Sequence, residues 1–299
     1  MCYNKEKGGF MEIINDYTKD GLRLPMIHYE SRSKDYCIVF VHGMSGDILI
    51  NTFAQIWARE AIKNDIGFLF GHTRGYSYMN DIICKNKEIK RYGTTYEVFE
   101  ECLEDIDLFI KTAKNLGYKK LILIGHSLGC NKVIYYLSKN TEESLEGVVL
   151  ASPPDMCGLC QMKKYNENYS SMRKEAITAI KENTPEKRLT TILWDEYELS
   201  ARTFLSISTE DSPVDNLPLY KNPSHFEQLE RIKAPVLIFE SSQDDIIIRS
   251  VEEDLALIKE KATNSKVTTT IIPDTGHTYQ GKEQYTADII MNWINTIRK

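Results

Sequence analysis

The stretch LILIGHSLGC, residues 121–130, carries four consecutive branched apolar residues into a Gly-His-Ser-Leu-Gly turn. An apolar run this short reads as a strand buried on both faces, as in a parallel sheet. Residues 128–138 read as a helix, so the turn joins strand to helix. In a G-x-S-x-G turn of that kind the central residue takes strained backbone angles, and the residues two positions away must be small. Gly125 and Gly129 meet that need. Ser127 would then stand at the carboxyl edge of the sheet, where open α/β folds bind ligands. The N-terminus of the following helix would offer positive potential to a developing anion. The choice is between a structural turn that contains a serine and a turn that exposes a nucleophile.

Outward from this stretch the chain alternates strand and helix. FMEIINDY (10–17) and LRLPMIHYES (22–31) flank TKDG, and Asp-Gly predicts a hairpin. YCIVFVHG (36–43) reads as a buried strand, followed by a helix with Phe53, Ile56, Trp57 and Ala61 on one face. IGFLFGHTRG (66–75) reads as a strand, 94–116 as a long helix, KKLILIG as a strand and EGVVLAS (146–152) as another. This order predicts right-handed βαβ units and a mostly parallel sheet. The rhythm breaks at SPPD (152–155) and resumes at APVLIFES (234–241). A structureless loop of that length is improbable in a compact domain, so helices are expected over 160–182 and 187–206. The division is a core of 1–151 and 234–299 with a helical cap of 152–233. The chain finishes with the strand VTTTIIPDTG and a helix over about 284–297.

The 299 residues are 42% hydrophobic and 27% charged, with a formal net charge of −6. The signs are mixed along the chain, which argues against nucleic acid as a partner, because that needs clustered Lys and Arg. No apolar run approaches the roughly 18 residues of a membrane helix. The polar opening MCYNKEKGGF lacks an apolar signal-peptide core, so a cytoplasmic protein is expected. Seven scattered cysteines, at 2, 37, 84, 102, 130, 157 and 160, do not suggest a disulfide scaffold. Cys157 and Cys160 form a CxxC pair with no second pair to complete a zinc site. No P-loop, no GxGxxG after a strand and no HExxH occurs, so no metal or cofactor is expected.

A serine hydroxyl needs a base to take its proton and a carboxylate to orient that base. His277 lies in PDTGH, straight after the last predicted strand, and Asp244 and Asp245 lie just past the preceding one. The motifs FVHGMSG, GHTRG, GHSLG, PVLIFESSQDD and PDTGH, in this order over nearly the whole chain, resemble the α/β-hydrolase fold superfamily. That resemblance implies an eight-stranded sheet with a cap between the sixth and seventh strands and a Ser-His-acid triad. It matches Ser127 to the nucleophile, His277 to the base and Asp244 to the acid, ten positions along when Pro235 is counted as one. Asp245 and Asp155 stay open as alternative acids. Ser241 stands where the family often has glycine. In family members with an HGxxG turn the oxyanion donors are the backbone N–H groups matching Met44 and Leu128 here. The segment ELSARTFLSIS (198–208) and the GHTRG turn are further similar to a branch that includes fungal siderophore esterases.

The implied function is hydrolysis of a small-molecule carboxylic ester through an acyl-enzyme on Ser127. Thioesterase, amidase or acyltransferase chemistry on the same triad is an alternative, and a non-catalytic ligand receptor on the scaffold is another. Candidate substrate contacts are His42, Gly43, His126 and Trp194, although His42 and His126 also read as structural histidines. His72 and Arg74 read as braces of their loop. The stripe Met162, Tyr165, Tyr169 and Met172, at helical spacing, reads as a buried helix face.

Overall fold

The computed structural model describes residues 10–210 and 212–298. Cys2 and the opening residues therefore lie outside the described part. The predicted hairpin forms: β1 (Met11–Tyr17) pairs antiparallel with β2 (Arg23–Tyr29) around the Asp20-Gly21 turn. Then come β3 (Tyr36–Val41), α1 (Thr52–Lys63) and β4 (Gly67–Gly71), followed by a small hairpin, β5 (Asn80–Ile83) and β6 (Ile89–Tyr92). The chain continues with α2 (Cys102–Asn115), β7 (Lys120–His126), α3 (Leu128–Lys139) and β8 (Leu145–Ala151). After an insert the core resumes with β9 (Val236–Ser241), α7 (Val251–Lys261), β10 (Val267–Ile272) and α8 (Glu283–Ile297).

Eight strands form one sheet in the order β1-β2-β4-β3-β7-β8-β9-β10. The pairings from β4 to β10 are parallel, and only β2 runs against the rest, pairing antiparallel with both β1 and β4. Alternate residues of β3 supply the two faces, as the period of a strand requires. Cys37, Val39 and Val41 join Ile106 and Phe109 of α2 and Val133 of α3. Tyr36, Ile38 and Phe40 join Trp57 of α1 and Ile290 and Ile294 of α8. Each such large side chain, fully buried, stabilises by about 1.5–3 kcal/mol. Among the described residues no helix is long and apolar enough to cross a membrane.

The insert, between the sixth and seventh sheet strands, holds α4 (Met156–Gln161), α5 (Tyr169–Lys181) and α6 (Ala201–Ser208). Its apolar side chains, Met172 and Phe204 among them, pack with Leu128, Phe99 and Tyr135 of the core. Asn131 on α3 bolts it down: its amide donates to the Pro154 carbonyl at 3.1 Å and to Asn216 Oδ1 at 3.0 Å, while Asn216 donates back to the Asn131 carbonyl at 2.9 Å.

Three helix expectations need correction. The predicted 94–116 helix begins only at a 3₁₀ turn, Phe99–Glu101, because Val98 is extended and Thr94 spends its side chain on other loops. The expected 160–182 helix is split at 162–168, which separates Met162 and Tyr165 from Tyr169 and Met172. The expected 187–206 helix is mostly absent. Residues 187–200 form bridges Arg188–Ser200 and Leu193–Tyr197, with Trp194 and Asp195 both at φ 55°. The helix starts only after Ser200, whose hydroxyl accepts from the Thr203 N–H.

Candidate active site

Ser127 sits at the β7–α3 turn with φ 54° and ψ −131°, a region a non-glycine residue occupies only when its surroundings force it. The surroundings are close. A Cβ on Gly129 would lie 2.2 Å from the Val41 carbonyl, and one on Gly125 would lie 2.5 Å from the Gly129 carbonyl. Backbone thus packs on backbone on both sides of the serine. The turn is fixed by Ser127 N–H to the Ala151 carbonyl at 3.0 Å and Cys130 N–H to the Ser127 carbonyl at 2.8 Å.

His277 follows β10, and its Nδ1 donates to Asp244 Oδ2 at 2.8 Å. Asp244 Oδ1 accepts from the Ile246 N–H at 2.9 Å. Burial opposes ionisation of Asp244, but the hydrogen bond and charge of His277 outweigh it and hold the carboxyl well below its usual range. The other nitrogen, His277 Nε2, is buried without a hydrogen-bond partner among the described residues. Ser127 and His277 line the same cavity, although no hydrogen bond joins them among the described residues.

The alternative acids are elsewhere. Asp245 is exposed on the cavity wall. Asp155 caps α4, accepting from Gly158 and Tyr220 N–H groups at 2.7 Å each, and burial raises its pKa to about 6.

The loop after β3 lies against the serine: a Cβ on Gly43 would sit 2.8 Å from Ser127 Cβ. Met44 lines the cavity, and no acceptor among the described residues takes its N–H or that of Leu128. The next residue, Ser45, at φ 48°, donates its N–H to Thr94 Oγ1 at 2.5 Å, and the Thr94 hydroxyl donates to the Gly75 carbonyl at 3.0 Å. Thr94 therefore pins the loop, a function its place in the sequence did not signal.

For the two histidines named as substrate contacts, the structure favours the structural reading. His42, expected at the substrate, is sealed behind the loop, donating from Nδ1 to the Gly43 carbonyl at 2.7 Å and accepting at Nε2 from the Thr73 N–H at 3.0 Å. His126 reaches the cavity edge but is buried, and its Nε2 donates to the His277 carbonyl at 3.1 Å, so it braces His277. Burial lowers its pKa to about 3, keeping it neutral. His72 bonds the Pro25 carbonyl and the Ile48 N–H, and Arg74 is held by Asp105, Asp20 and Glu101. Beneath them a buried Lys132–Glu97 pair, 2.7 Å apart, ties α3 to this loop region.

The cavity measures about 610 Å³. Its far wall comes from Tyr78, Trp194 and Tyr197, with Tyr78 stacked on Tyr197 and Trp194 edge-on to it. Gly43 and Trp194, both expected at the substrate, line it. Cys157 and Cys160 are free, buried thiols whose pKa values burial pushes up. Glu240, Asp244 and His277 form the one group of potential metal ligands among the described residues. A divalent ion there would have to break the 2.8 Å bond from His277 to Asp244.

This sheet order, insert and strained strand-to-helix serine define the α/β-hydrolase fold. The chain belongs to the family described as "Protein of unknown function (DUF1749)", whose model matches residues 92–298. By structure it is similar to the siderophore hydrolase EstB from Aspergillus fumigatus, with 15% identity, 98% of each chain covered and a TM-score of 0.66. It is likewise similar to Est1E from Butyrivibrio proteoclasticus, with 15% identity, 97% of this chain and 98% of that one covered, and a TM-score of 0.63. A third similar structure is the Pyrococcus furiosus esterase Pf2001, with 16% identity, 99% and 95% covered, and a TM-score of 0.62. No curated protein sequence matches the chain.

Proposed function

We propose that the protein is a serine hydrolase cleaving a carboxylic ester of a small or medium-sized molecule. The observation that carries this is a serine held at φ 54° in one cavity with a histidine whose far nitrogen is fixed on a buried carboxylate. In this reading Ser127 Oγ attacks the ester carbonyl while His277 Nε2 takes its proton. Asp244 holds His277 in the Nδ1–H tautomer and stabilises the imidazolium. The N–H groups of Met44 and Leu128 stabilise the oxyanion, an effect worth about 2.7–4 kcal/mol per donor in enzymes of this kind. His277 then protonates the leaving alcohol and activates water against the acyl-enzyme. No cofactor takes part.

Residues 152–233 act as a cap that sets specificity, with Trp194 against the substrate. The names of similar structures, an esterase and a siderophore hydrolase at 15–16% identity, support the reaction class. The test is a panel of ester and thioester substrates of graded acyl length, run beside Ser127→Ala. Turnover of at least one ester, lost in Ser127→Ala, is expected. Ligand-induced stabilisation without any turnover would instead favour a receptor on this scaffold.

A further inference from the structure

β9 reads VLIFES, and a glutamate straight after four apolar residues in a fully covered strand calls for a reason. Glu240 is buried at 6% exposure, and its Oε1 has no hydrogen-bond partner among the described residues. Carboxyl oxygens of Glu240 and Asp244 and a ring nitrogen of His277 lie within 4.8 Å of one another. The titratable groups around Glu240 are Asp244 and His277 in the loops beyond β9 and β10, Tyr279 after β10, and Cys130 on α3. Tyr279 and Ser152 meet hydroxyl to hydroxyl at 2.8 Å, and the Ser152 hydroxyl also faces the Glu240 carboxyl, where it is the one side-chain donor that favours the charged form. His277 has already committed its Nδ1 proton to Asp244. No lysine or arginine pairs with Glu240 among the described residues.

Two carboxylates this close in a dry site do not both ionise. Asp244 has donors from His277 and from the Ile246 main chain, so it keeps the charge. We propose that Glu240 is a positioning residue that stands as a neutral carboxyl group and donates its proton in a hydrogen bond to Asp244. Its consequence for rate rests on the triad reading above, whereas its protonation state does not. Burial and the charge of Asp244 both push the Glu240 pKa far above the usual carboxyl value. With three donors around it, the Asp244 carboxylate is fixed in plane, and the His277 ring is fixed with it. The Glu240 proton stays where it is throughout the cycle, and the transferred proton runs from Ser127 to His277 to the leaving group.

Infrared spectroscopy of the wild-type protein near neutral pH tests the state directly. A neutral-carboxyl C=O band that moves on incorporation of isotope-labelled glutamate and vanishes in Glu240→Gln is expected. No such glutamate band in wild type would overturn the proposal, and so would a band that survives in folded Glu240→Gln. If Glu240→Gln does not fold, the band must shift in Asp244→Asn, and an unmoved band overturns the proposal. The positioning effect is read from kcat. Glu240→Met should lose about tenfold or more, and Glu240→Gln, which keeps a donor, should recover most of that loss. The acid limb of the pH–rate profile in Glu240→Gln should stay in place. A downward shift of about one pH unit or more would mean that a negative charge had been removed, and would overturn the neutral state. Wild type without turnover but with the glutamate band would refute the hydrolase reading and leave the proton assignment standing.

Discussion

Replacing Asp244 by asparagine keeps size and keeps an oxygen for the Ile246 N–H, so the loop after β9 should survive. The charge facing His277 is lost. The bond is 2.8 Å long and Asp244 is buried, so the imidazolium formed on proton uptake has this carboxylate as its nearest counter-charge. With about 4 Å between charge centres and an effective dielectric near 20, the attraction is about 4 kcal/mol. That is about a thousandfold in rate. An asparagine can also present its NH₂ to Nδ1 and hold the wrong tautomer, which takes the loss toward about 10⁴. The expected kcat/KM of Asp244→Asn on a p-nitrophenyl ester is therefore about 10³–10⁴-fold below wild type, with a thermal midpoint close to wild type. Asp245→Asn, which removes an exposed charge one residue away, should cost less than about fivefold. An Asp244→Asn enzyme within tenfold of wild type, or a collapse in Asp245→Asn instead, would refute the reasoning.

Gly129→Ala places a Cβ 2.2 Å from the Val41 carbonyl, where neither backbone can yield, so it should destabilise by about 1–3 kcal/mol or more in urea titrations. A neutral result would mean that the turn is looser than its contacts indicate. Lys132→Met strands Glu97 in a buried site and should cost about 3–5 kcal/mol, while the double variant Lys132→Met/Glu97→Leu should recover much of it. A double variant no better than the single one would contradict this. Burial lowers the His72 pKa from 6.5 to about 4, so the folded protein holds it neutral while the unfolded chain takes a proton. Its contribution is present above pH 6.5 and is lost as pH falls toward 4, up to about 3 kcal/mol. The stability difference between wild type and His72→Gln, followed by denaturant titration, should change by that amount over this window. A flat difference would count against it.

The parts of the fold legible in sequence are those where one interaction dominates. β3, β7, β8 and β9 are covered on both faces and spell continuous apolar runs, and Asp20-Gly21 announces the first hairpin. The β5–β6 hairpin escapes because Asp81, Lys85, Lys87, Glu88, Lys90 and Arg91 leave no alternating pattern, its turn depending on Lys87 at φ 70°. Residues 187–200 suggest a helix by composition but are governed by long-range contacts, such as the Ser200 N–H on the Thr95 carbonyl. Ser127 and His277 are marked by their motifs and Asp244 by the resemblance to the α/β-hydrolase fold, which leaves Asp245 and Asp155 open; the structure puts Asp244 against His277. The structural reading of His42 is open in the sequence, but its partner Thr73 is not, because Thr73 lies on another loop. Glu240 did carry a signal, a lone acid among apolar neighbours, whose meaning depends on where Asp244 folds back.

The most direct measurement of the central claim is intact-mass analysis after treatment with a fluorophosphonate, with the adduct mapped by peptide sequencing. The account predicts a single stoichiometric adduct on Ser127, abolished in Ser127→Ala and strongly slowed in His277→Gln. A folded wild-type protein that takes no adduct, or takes it on another residue, would contradict it.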